Sequence, residues 1–210
     1  MQTRTYGDLF KTASALIGTG GELDVTEQDQ LAQFINRRFQ QAFDESLFWP
    51  RYIVIGEARD LTADTTIVPY TEGGKDTIGE FISISNAKPL SRNSVTEFEF
   101  YVDTNGANIV NFNSSTTDKA FVTYQKEFTP FSVDEDRYNS SEAVPGEFFN
   151  FISHAVYADF LRVQNRQEQA VTEEQVAQIY LAQELEKIDI RSNNNKIGKK
   201  FSTYVNRQSR

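Results

Sequence analysis

Apolar residues change their spacing twice along this 210-residue chain. Up to about residue 50, and again from about residue 146, they recur every three or four positions, which is typical of amphipathic helices. Between residues 51 and 130 the repeat shortens to two, and β-branched and aromatic residues dominate, which is typical of strands. A β region enclosed between two helical regions predicts a mixed α+β fold with one substantial core.

Two helices are predicted before residue 50. Residues 6–17 carry the first apolar stripe, and the sequence GTGG at 18–21 ends it, because glycine tolerates positive φ. Thr26 fits an N-cap with Asp29 in the capping-box position, so we expect a second helix over residues 27–48. Its apolar face is wide enough to pack against other helices.

The central region predicts a compact antiparallel sheet, sandwich or small barrel. The turn-forming sequence TNG at 104–106 stands between two apolar runs and predicts a tight hairpin. The expected strands are RYIVIGEA, TTIVPY, EFISISN, TEFEFYV, ANIVNFN and AFVTYQKEF.

A helical hairpin is predicted after the β region. Residues 147–164 carry an apolar stripe, and residues 165–169 interrupt it. Thr172 with Gln175 matches a capping box, so we expect the second helix of the hairpin over residues 173–189.

The last segment, residues 190–210, differs in charge from everything before it. It carries six basic residues and no acid, and since the whole chain carries −9, the residues before it carry −15. It also lacks the apolar density of the helices, so we expect an extended arm without a core of its own. An acidic body and a basic arm indicate two different environments.

The composition argues against an enzyme. The chain has no cysteine, so it offers no thiolate nucleophile, disulfide or cysteine-based metal site. Its one histidine, His154, lies inside an apolar helical stripe, where packing or a hydrogen bond is the expected role. No phosphate-binding loop, dinucleotide fingerprint, nucleophile elbow or zinc-protease motif occurs. We therefore expect no catalytic residue, no cofactor and no metal site.

Two other functions remain as alternatives. The carboxylates Asp134, Glu135, Asp136, Glu173 and Glu174 could supply the acid pair of a cell-wall hydrolase, although polar links and first helical turns favour acids without catalysis. The basic arm could make the chain a nucleic-acid-binding module. A stacking platform for bases is disfavoured, because acids alternate with the strand aromatics and core packing explains them better; these aromatics are Phe98, Phe100, Tyr101, Phe112, Phe121 and Tyr124.

The chain resembles a known family in its order of elements. The segments RTYGDLFKTASALIG and TEQDQLAQFINRRFQQAF resemble the opening of head-to-tail adaptor proteins of tailed bacteriophages, which are called tail tubular protein A or head-completion proteins. The segments VPGEFFNFISHAVYADFLRVQN and EEQVAQIYLAQELEKI resemble their C-terminal helical pair. The resemblance implies an α+β fold: a helical bundle from both chain ends, an inserted antiparallel β domain and an extended C-terminal arm.

The domain limits that follow are residues 1–50 for the N-terminal bundle helices and 51–145 for the β domain with its connecting loop. The C-terminal hairpin of the bundle would span residues 146–189, and the arm residues 190–210.

The resemblance also implies a structural role at the head-tail junction of a virion assembled in the host cytoplasm. Such adaptors form a ring, normally of twelve copies, which connects the portal protein to the tail nozzle protein and encloses passing double-stranded DNA. We expect no membrane association. Phe160 and Tyr180 are the expected subunit-interface residues, and the expected portal-binding residues of the arm are Arg191, Lys196, Ile197, Lys199, Lys200, Phe201, Tyr204, Arg207 and Arg210.

Overall fold

The computed structural model describes residues 3–18, 23–61, 66–89, 95–110, 119–132 and 136–208, the last 19 of these by their backbone alone. Helices and small antiparallel sheets are both present, so the predicted α+β class is confirmed. In chain order the elements are β1 (Thr3–Thr5), α1 (Tyr6–Ile17), α2 (Val25–Asp44), β2 (Ile53–Asp60), β3 (Ile67–Pro69), β4 (Ile78–Ser85), β5 (Phe100–Asp103), β6 (Gly106–Ile109), β7 (Lys119–Lys126), a 3₁₀ helix (Arg137–Asn139), β8 (Ala143–Pro145), α3 (Gly146–Val163) and α4 (Gln167–Gln208).

The chain divides into two compact units. One contains Met1–Ser46 and Pro130–Arg210, which include all four α-helices, and we call it the helical unit. The other contains Leu47–Thr129 and is called the β unit. Residues from both chain ends therefore build one unit, and the segment between them builds the other.

Helix α1 has the limits that the sequence predicted. Thr5 caps its start by accepting a hydrogen bond from the Asp8 backbone at 3.1 Å, and Asp8 accepts one from the Thr5 backbone in return. Gly18 ends the helix in the left-handed conformation, with φ of 81°. Both end signals are local, which explains why the sequence alone could place them.

The predicted limits of α2 are wrong at both ends. Asp24 is the N-cap, and it forms a capping box with Glu27, so the helix begins before the predicted cap at Thr26. Aspartate is a stronger N-cap than threonine, and glutamate suits the third helical position, so the earlier box prevails. The helix ends at Asp44, before the predicted end at Phe48.

The predicted hairpin of α3 and α4 is present, but the capping box at Thr172 is wrong. Asn165 adopts a left-handed conformation with φ of 61° and turns the chain, so that α4 already begins at Gln167. Thr172 lies within the helix, where its hydroxyl donates to the Glu168 carbonyl at 3.1 Å.

The predicted extended arm is also wrong in its conformation. Helix α4 does not end near Asp189 but continues to Gln208, a length of 42 residues. No proline interrupts residues 190–208, and each asparagine or glycine there disfavours a helix by only about 1 kcal/mol. Basic residues near a helix C-terminus interact favourably with the helix dipole, which opposes the loss in propensity.

Residues 136–145 were predicted as part of the β domain and its connecting loop, and they lie in the helical unit instead. Strand β8 pairs antiparallel with β1, with Val144 opposite Arg4. Tyr138 packs edge-on against Phe10 with ring centroids 4.8 Å apart, and its hydroxyl accepts a hydrogen bond from the Leu23 backbone at 3.2 Å. The strands are too short for a period of two to reveal them.

The β unit contains two three-stranded antiparallel sheets, with strand orders β2-β7-β4 and β3-β6-β5. Residues from both sheets form one core, which includes Val68, Ile84 and Val122. The six predicted strands are present with shifted ends, and the TNG hairpin is confirmed, because Asp103 of β5 pairs with Gly106 of β6. Within the described ranges, none of the helices is long and apolar enough to span a bilayer.

Candidate functional site

A buried ion network joins α4 to α2 and α3. Arg38 of α2 donates from Nε and Nη2 to both carboxylate oxygens of Asp159 on α3, each at 2.7 Å. The same guanidinium donates to both oxygens of Glu174 on α4, at 3.0 and 2.7 Å. Two bidentate contacts from one arginine fix the three helices in one geometry, because the guanidinium is planar and rigid. We call Arg38, Asp159 and Glu174 the clamp.

Two more arginines contact the acids of the clamp. Arg37 contacts Asp159 at 2.6 Å, and Arg162 contacts both Asp159 at 2.8 Å and Glu174 at 3.0 Å. The Asp159 side chain is 4% exposed and the Arg38 side chain 8%, whereas Arg37 is 61% exposed. Arg38 is therefore the partner that compensates Asp159 away from solvent.

Electrostatics within the clamp favour the charged forms of both groups. Burial alone would raise the pKa of Asp159, but hydrogen bonds from Arg38 and Arg37 lower it below its ordinary value. Burial would likewise lower the pKa of Arg38, and its bonds to Asp159 and Glu174 raise it instead. Arg38 and Asp159 therefore form an ion pair throughout the neutral range.

His154 occupies the packing role that the sequence predicted. Its Nδ1 lies 2.8 Å from Oε2 of Glu173, and its ring stacks on Tyr180 with centroids 5.3 Å apart. These contacts connect α3 to α4 a second time. They also engage Glu173, one of the acids considered for hydrolysis, while the clamp engages Glu174.

Three of the five acids considered for hydrolysis lie within the described residues, and their side chains make different contacts. Asp134 and Glu135 lie outside the described residues, and Asp136 precedes the 3₁₀ helix, where its carboxylate accepts a hydrogen bond from Asn139 at 2.8 Å. Across the described ranges, no group of three or more histidine, aspartate or glutamate residues could hold a metal ion.

The predicted subunit-interface residues contribute to the helical unit itself. Phe160 is 6% exposed and belongs to the core, and Tyr180 is half-buried against His154. Neither side chain offers a large free surface to a neighbouring copy. Their role in subunit contacts stays a prediction.

Three of the six strand aromatics that could have formed a stacking platform lie in or against the core of the β unit. Tyr124 is fully buried, and Phe98 and Phe100 pack against the same core. Tyr101 differs, because it is 59% exposed, and Phe112 lies outside the described residues. Tyr124 is buried, and Phe98 and Phe100 are partly buried, so core packing is confirmed for these three.

The β unit contains a buried charge that the sequence did not reveal. Arg59 has no exposed surface, and its Nη2 donates to the Asp76 carbonyl at 2.7 Å and to the Tyr124 hydroxyl at 2.9 Å. Glu57 balances the charge at 2.8 Å. Burial, followed by the hydrogen bond to Glu57, raises the pKa of Tyr124 to about 12.

Helix α4 presents two opposite faces. Ala170, Ala177 and Leu181 are buried on the inner face, and beyond Leu181 none of the side chains described up to Asp189 is buried. The residues of the outer face are spaced alternately by four and three positions, and all the described ones are exposed: Glu168, Thr172, Gln175, Ile179, Ala182, Glu186 and Asp189.

The predicted portal-binding residues lie on the last part of α4. The helical backbone places Arg191, Lys196, Lys199, Lys200 and Arg207 beyond the packed first half of the helix, whereas Arg210 lies outside the described residues. Ile197, Phe201 and Tyr204 follow one another at helical spacing on the same segment.

No protein-family model matches the chain, and no curated protein is similar to it in sequence. The geometry of the clamp, the charge distribution and the order of elements are the features of this chain that bear on its function.

Proposed function

We propose that this chain is a structural, non-enzymatic virion protein of a tailed bacteriophage that forms a head-to-tail adaptor ring. In this proposal about twelve copies connect the portal protein to the tail nozzle protein and line the channel for DNA. The observation that carries it is the two-part construction of α4, whose first half is clamped to α2 and α3 and whose second half is basic.

The clamp makes α4 a rigid support for a contact at a distance. At 1.5 Å per residue, the 42-residue helix is about 63 Å long. Its last 27 residues, after Leu181, correspond to about 40 Å. A helix of this length suits a protein that contacts a different ring at a distance from its own helical unit.

The charge distribution supports the same proposal. Residues before 190 carry −15, and a ring of about twelve copies multiplies this charge, so a lumen lined by its acids would repel DNA. The basic part of α4 would bind DNA unless an acidic protein surface held it. We propose that acidic grooves of the portal protein provide that surface.

A truncation tests the proposal directly. A chain that ends after Asp189 keeps the clamp and all the described buried side chains of α4, so we expect nearly unchanged thermal unfolding but no attachment to purified portal rings. Attachment is measured by co-sedimentation and electron microscopy. Full attachment of the truncated chain would contradict the proposal.

A charge variant tests whether the basic side chains, and not merely the presence of residues 190–210, are required for portal attachment. Lys199→Gln with Lys200→Gln should weaken portal attachment most at low salt. The matched control neutralises Lys11 and Lys88, two exposed lysines outside α4, and should attach normally. Equal losses in both variants would show that only net charge matters.

The alternatives have separate measurements. Peptidoglycan turnover that disappears on replacing Glu173 or Glu174 would support a hydrolase. Salt-dependent DNA binding by the full chain, lost on truncation after Asp189, would support a nucleic-acid-binding module.

A further inference from the structure

Strand β5 is the last strand of its sheet, because the strand order of that sheet is β3-β6-β5. Backbone groups of successive residues in a strand point to opposite sides. The Glu99 carbonyl accepts a hydrogen bond from the Val110 amide at 2.8 Å, next to the start of the β5-β6 pairing. Tyr101 therefore directs its backbone groups toward β6, whereas Phe100 and Val102 direct theirs away from β6.

The side of this strand that faces away from β6 has a described partner only before β5 begins. There the Phe98 amide donates to the Ile84 carbonyl of β4 at 2.8 Å. Phe100 and Val102 point to the same side as Phe98, but among the described residues they have no backbone partner there. Val102 is 49% exposed, so solvent reaches this part of the strand. We call the outer side of Phe100 and Val102 the open edge.

Negative charge lies beside the open edge. Glu97 and Glu99 are exposed, and neither forms an ion pair with a described residue. They share a face of the strand with Tyr101, which is 59% exposed, because strand side chains alternate and Phe98 and Phe100 pack against the core. The open edge therefore combines backbone hydrogen-bonding groups with two unpaired acids and an exposed aromatic ring.

We propose that the open edge binds an extended, basic segment of a partner protein, which adds to the sheet as a further strand beside β5. An unpaired strand edge is a template for another strand, and its backbone groups provide the pairing. Lysine or arginine side chains opposite Glu97 and Glu99 provide the selection, since opposite charges stabilise a cross-strand pair.

Charge excludes two other occupants of the open edge. If two copies of this chain paired antiparallel about Tyr101, Glu99 of one copy would face Asp103 of the other. Like charges directly opposite each other destabilise a pair of strands. The same acids repel the phosphates of a nucleic acid. The occupant is therefore a basic segment of a different protein.

Binding at the open edge does not depend on the proposed adaptor function, because only residues of the β unit take part. The contact is short and exposed, so it suits a weak and transient interaction that salt weakens further.

Hydrogen exchange of the full chain, followed by nuclear magnetic resonance, tests the proposal. The probe is a capped peptide of about eight residues in which lysine and valine alternate. Its addition should slow amide exchange of Phe100 and Val102 at least about tenfold, and should leave Tyr101, whose backbone faces β6, unchanged. A matched peptide with glutamate in place of lysine should have no effect.

Three results of this experiment would overturn the proposal. The first is unchanged exchange of Phe100 and Val102 at a saturating concentration of the lysine peptide. The second is equal protection by the glutamate peptide. The third is slow exchange in the chain alone: if dilution abolishes it, a second copy covers the open edge, and if it persists on dilution, the chain itself does.

Two acid variants separate the open edge from overall charge. Glu97→Gln with Glu99→Gln should weaken binding of the lysine peptide about fivefold. The matched control is Asp60→Asn with Glu127→Gln, two exposed acids that end or follow strands of the other sheet, and it should bind normally. Equal losses in both variants would mean that net charge attracts the peptide, and the proposal would be wrong.

A proline tests the backbone pairing directly. Val102→Pro removes an N–H that points away from β6, so no described hydrogen bond is lost and the β unit should stay folded, as Trp49 fluorescence reports. The lysine peptide should no longer bind. Normal binding by a folded Val102→Pro chain would show that the peptide does not pair with β5. If this variant unfolds, the acid variants decide.

Discussion

Replacement of Arg38 by methionine is the sharpest test of the clamp. Methionine keeps most of the side-chain volume, but it leaves the carboxylate of Asp159, which is only 4% exposed, without its main partner. Removing one partner of a buried ion pair typically costs 3–5 kcal/mol of unfolding free energy. Arg37 and Arg162 still contact Asp159, and Glu174 is 21% exposed and can be hydrated, so we expect about 3 kcal/mol.

The two units can be followed separately in one urea titration. Far-ultraviolet circular dichroism reports mainly on the helices, whereas the single tryptophan, Trp49, lies in the β unit and reports there by fluorescence. Arg38→Met should shift the helical transition to lower urea and leave its slope unchanged. A shift confined to the fluorescence transition would mean that the clamp does not determine the stability of the helical unit.

A neighbouring arginine provides the control. Arg37 contacts the same carboxylate at 2.6 Å, but it is 61% exposed, so Arg37→Met should cost no more than about 1 kcal/mol. Adding Asp159→Leu to Arg38→Met removes the unpaired charge and should restore part of the lost stability. If Arg38→Met costs as little as Arg37→Met, Arg38 is not the main partner of Asp159.

Three further predictions concern single residues. Because the pKa of Asp159 is lower in the folded chain than in the unfolded chain, its contribution to stability is complete above about pH 4 and is lost as the pH falls further. Urea titrations should therefore show a shallower acid dependence in Asp159→Asn than in the natural chain. Gly106→Ala should destabilise the β unit by several kcal/mol, measured by Trp49 fluorescence, since φ is +143° and a Cβ would lie 2.0 Å from the Val68 carbonyl oxygen. Phe160→Ala should cost about 3–5 kcal/mol in the helical unit, whereas Ile179→Ala, on the exposed outer face of α4, should cost about 0.5 kcal/mol or less.

Local signals account for the elements that the sequence predicted well. The threonine cap and Gly18 define α1 completely, and the TNG turn defines the hairpin of β5 and β6. Periodicity distinguished helices from strands because one face of each long element is buried. The strands of three residues, β1 and β8, are shorter than one clear alternation and could not be found in this way.

The prediction of α4 failed at both ends for one physical reason. The sequence offers several weak signals, such as the box at Thr172 and the asparagines at 193–195, and none of them is strong enough to start or stop a helix. A helix end requires a conformation that the helix cannot continue, and only Asn165 with φ of 61° provides it at the N-terminal side.

The clamp was hidden from the sequence in a different way. Arg38 follows Ile35 and precedes Phe39 on an apolar face, and Asp159 lies between apolar residues of α3, so each charge was a visible anomaly. Their partnership joins residues 121 positions apart, and no local pattern encodes that. Two opposite charges that each lie on an apolar helical face are a sequence signal for a buried ion pair, because a buried charge requires a partner.

The first part of α4 contributes to the stability of the helical unit, and its basic last part is the part proposed to contact the portal. The clamp and the contact of His154 with Glu173 hold the first half, whereas the outer face of α4 contributes no described buried side chain. Variants of the basic residues after Asp189 should therefore change portal attachment without changing the unfolding free energy. Variants of the clamp should do the reverse under conditions in which they stay folded. If Arg38→Met weakened portal attachment while circular dichroism showed a folded helical unit, the clamp would also determine the direction of the last part of α4.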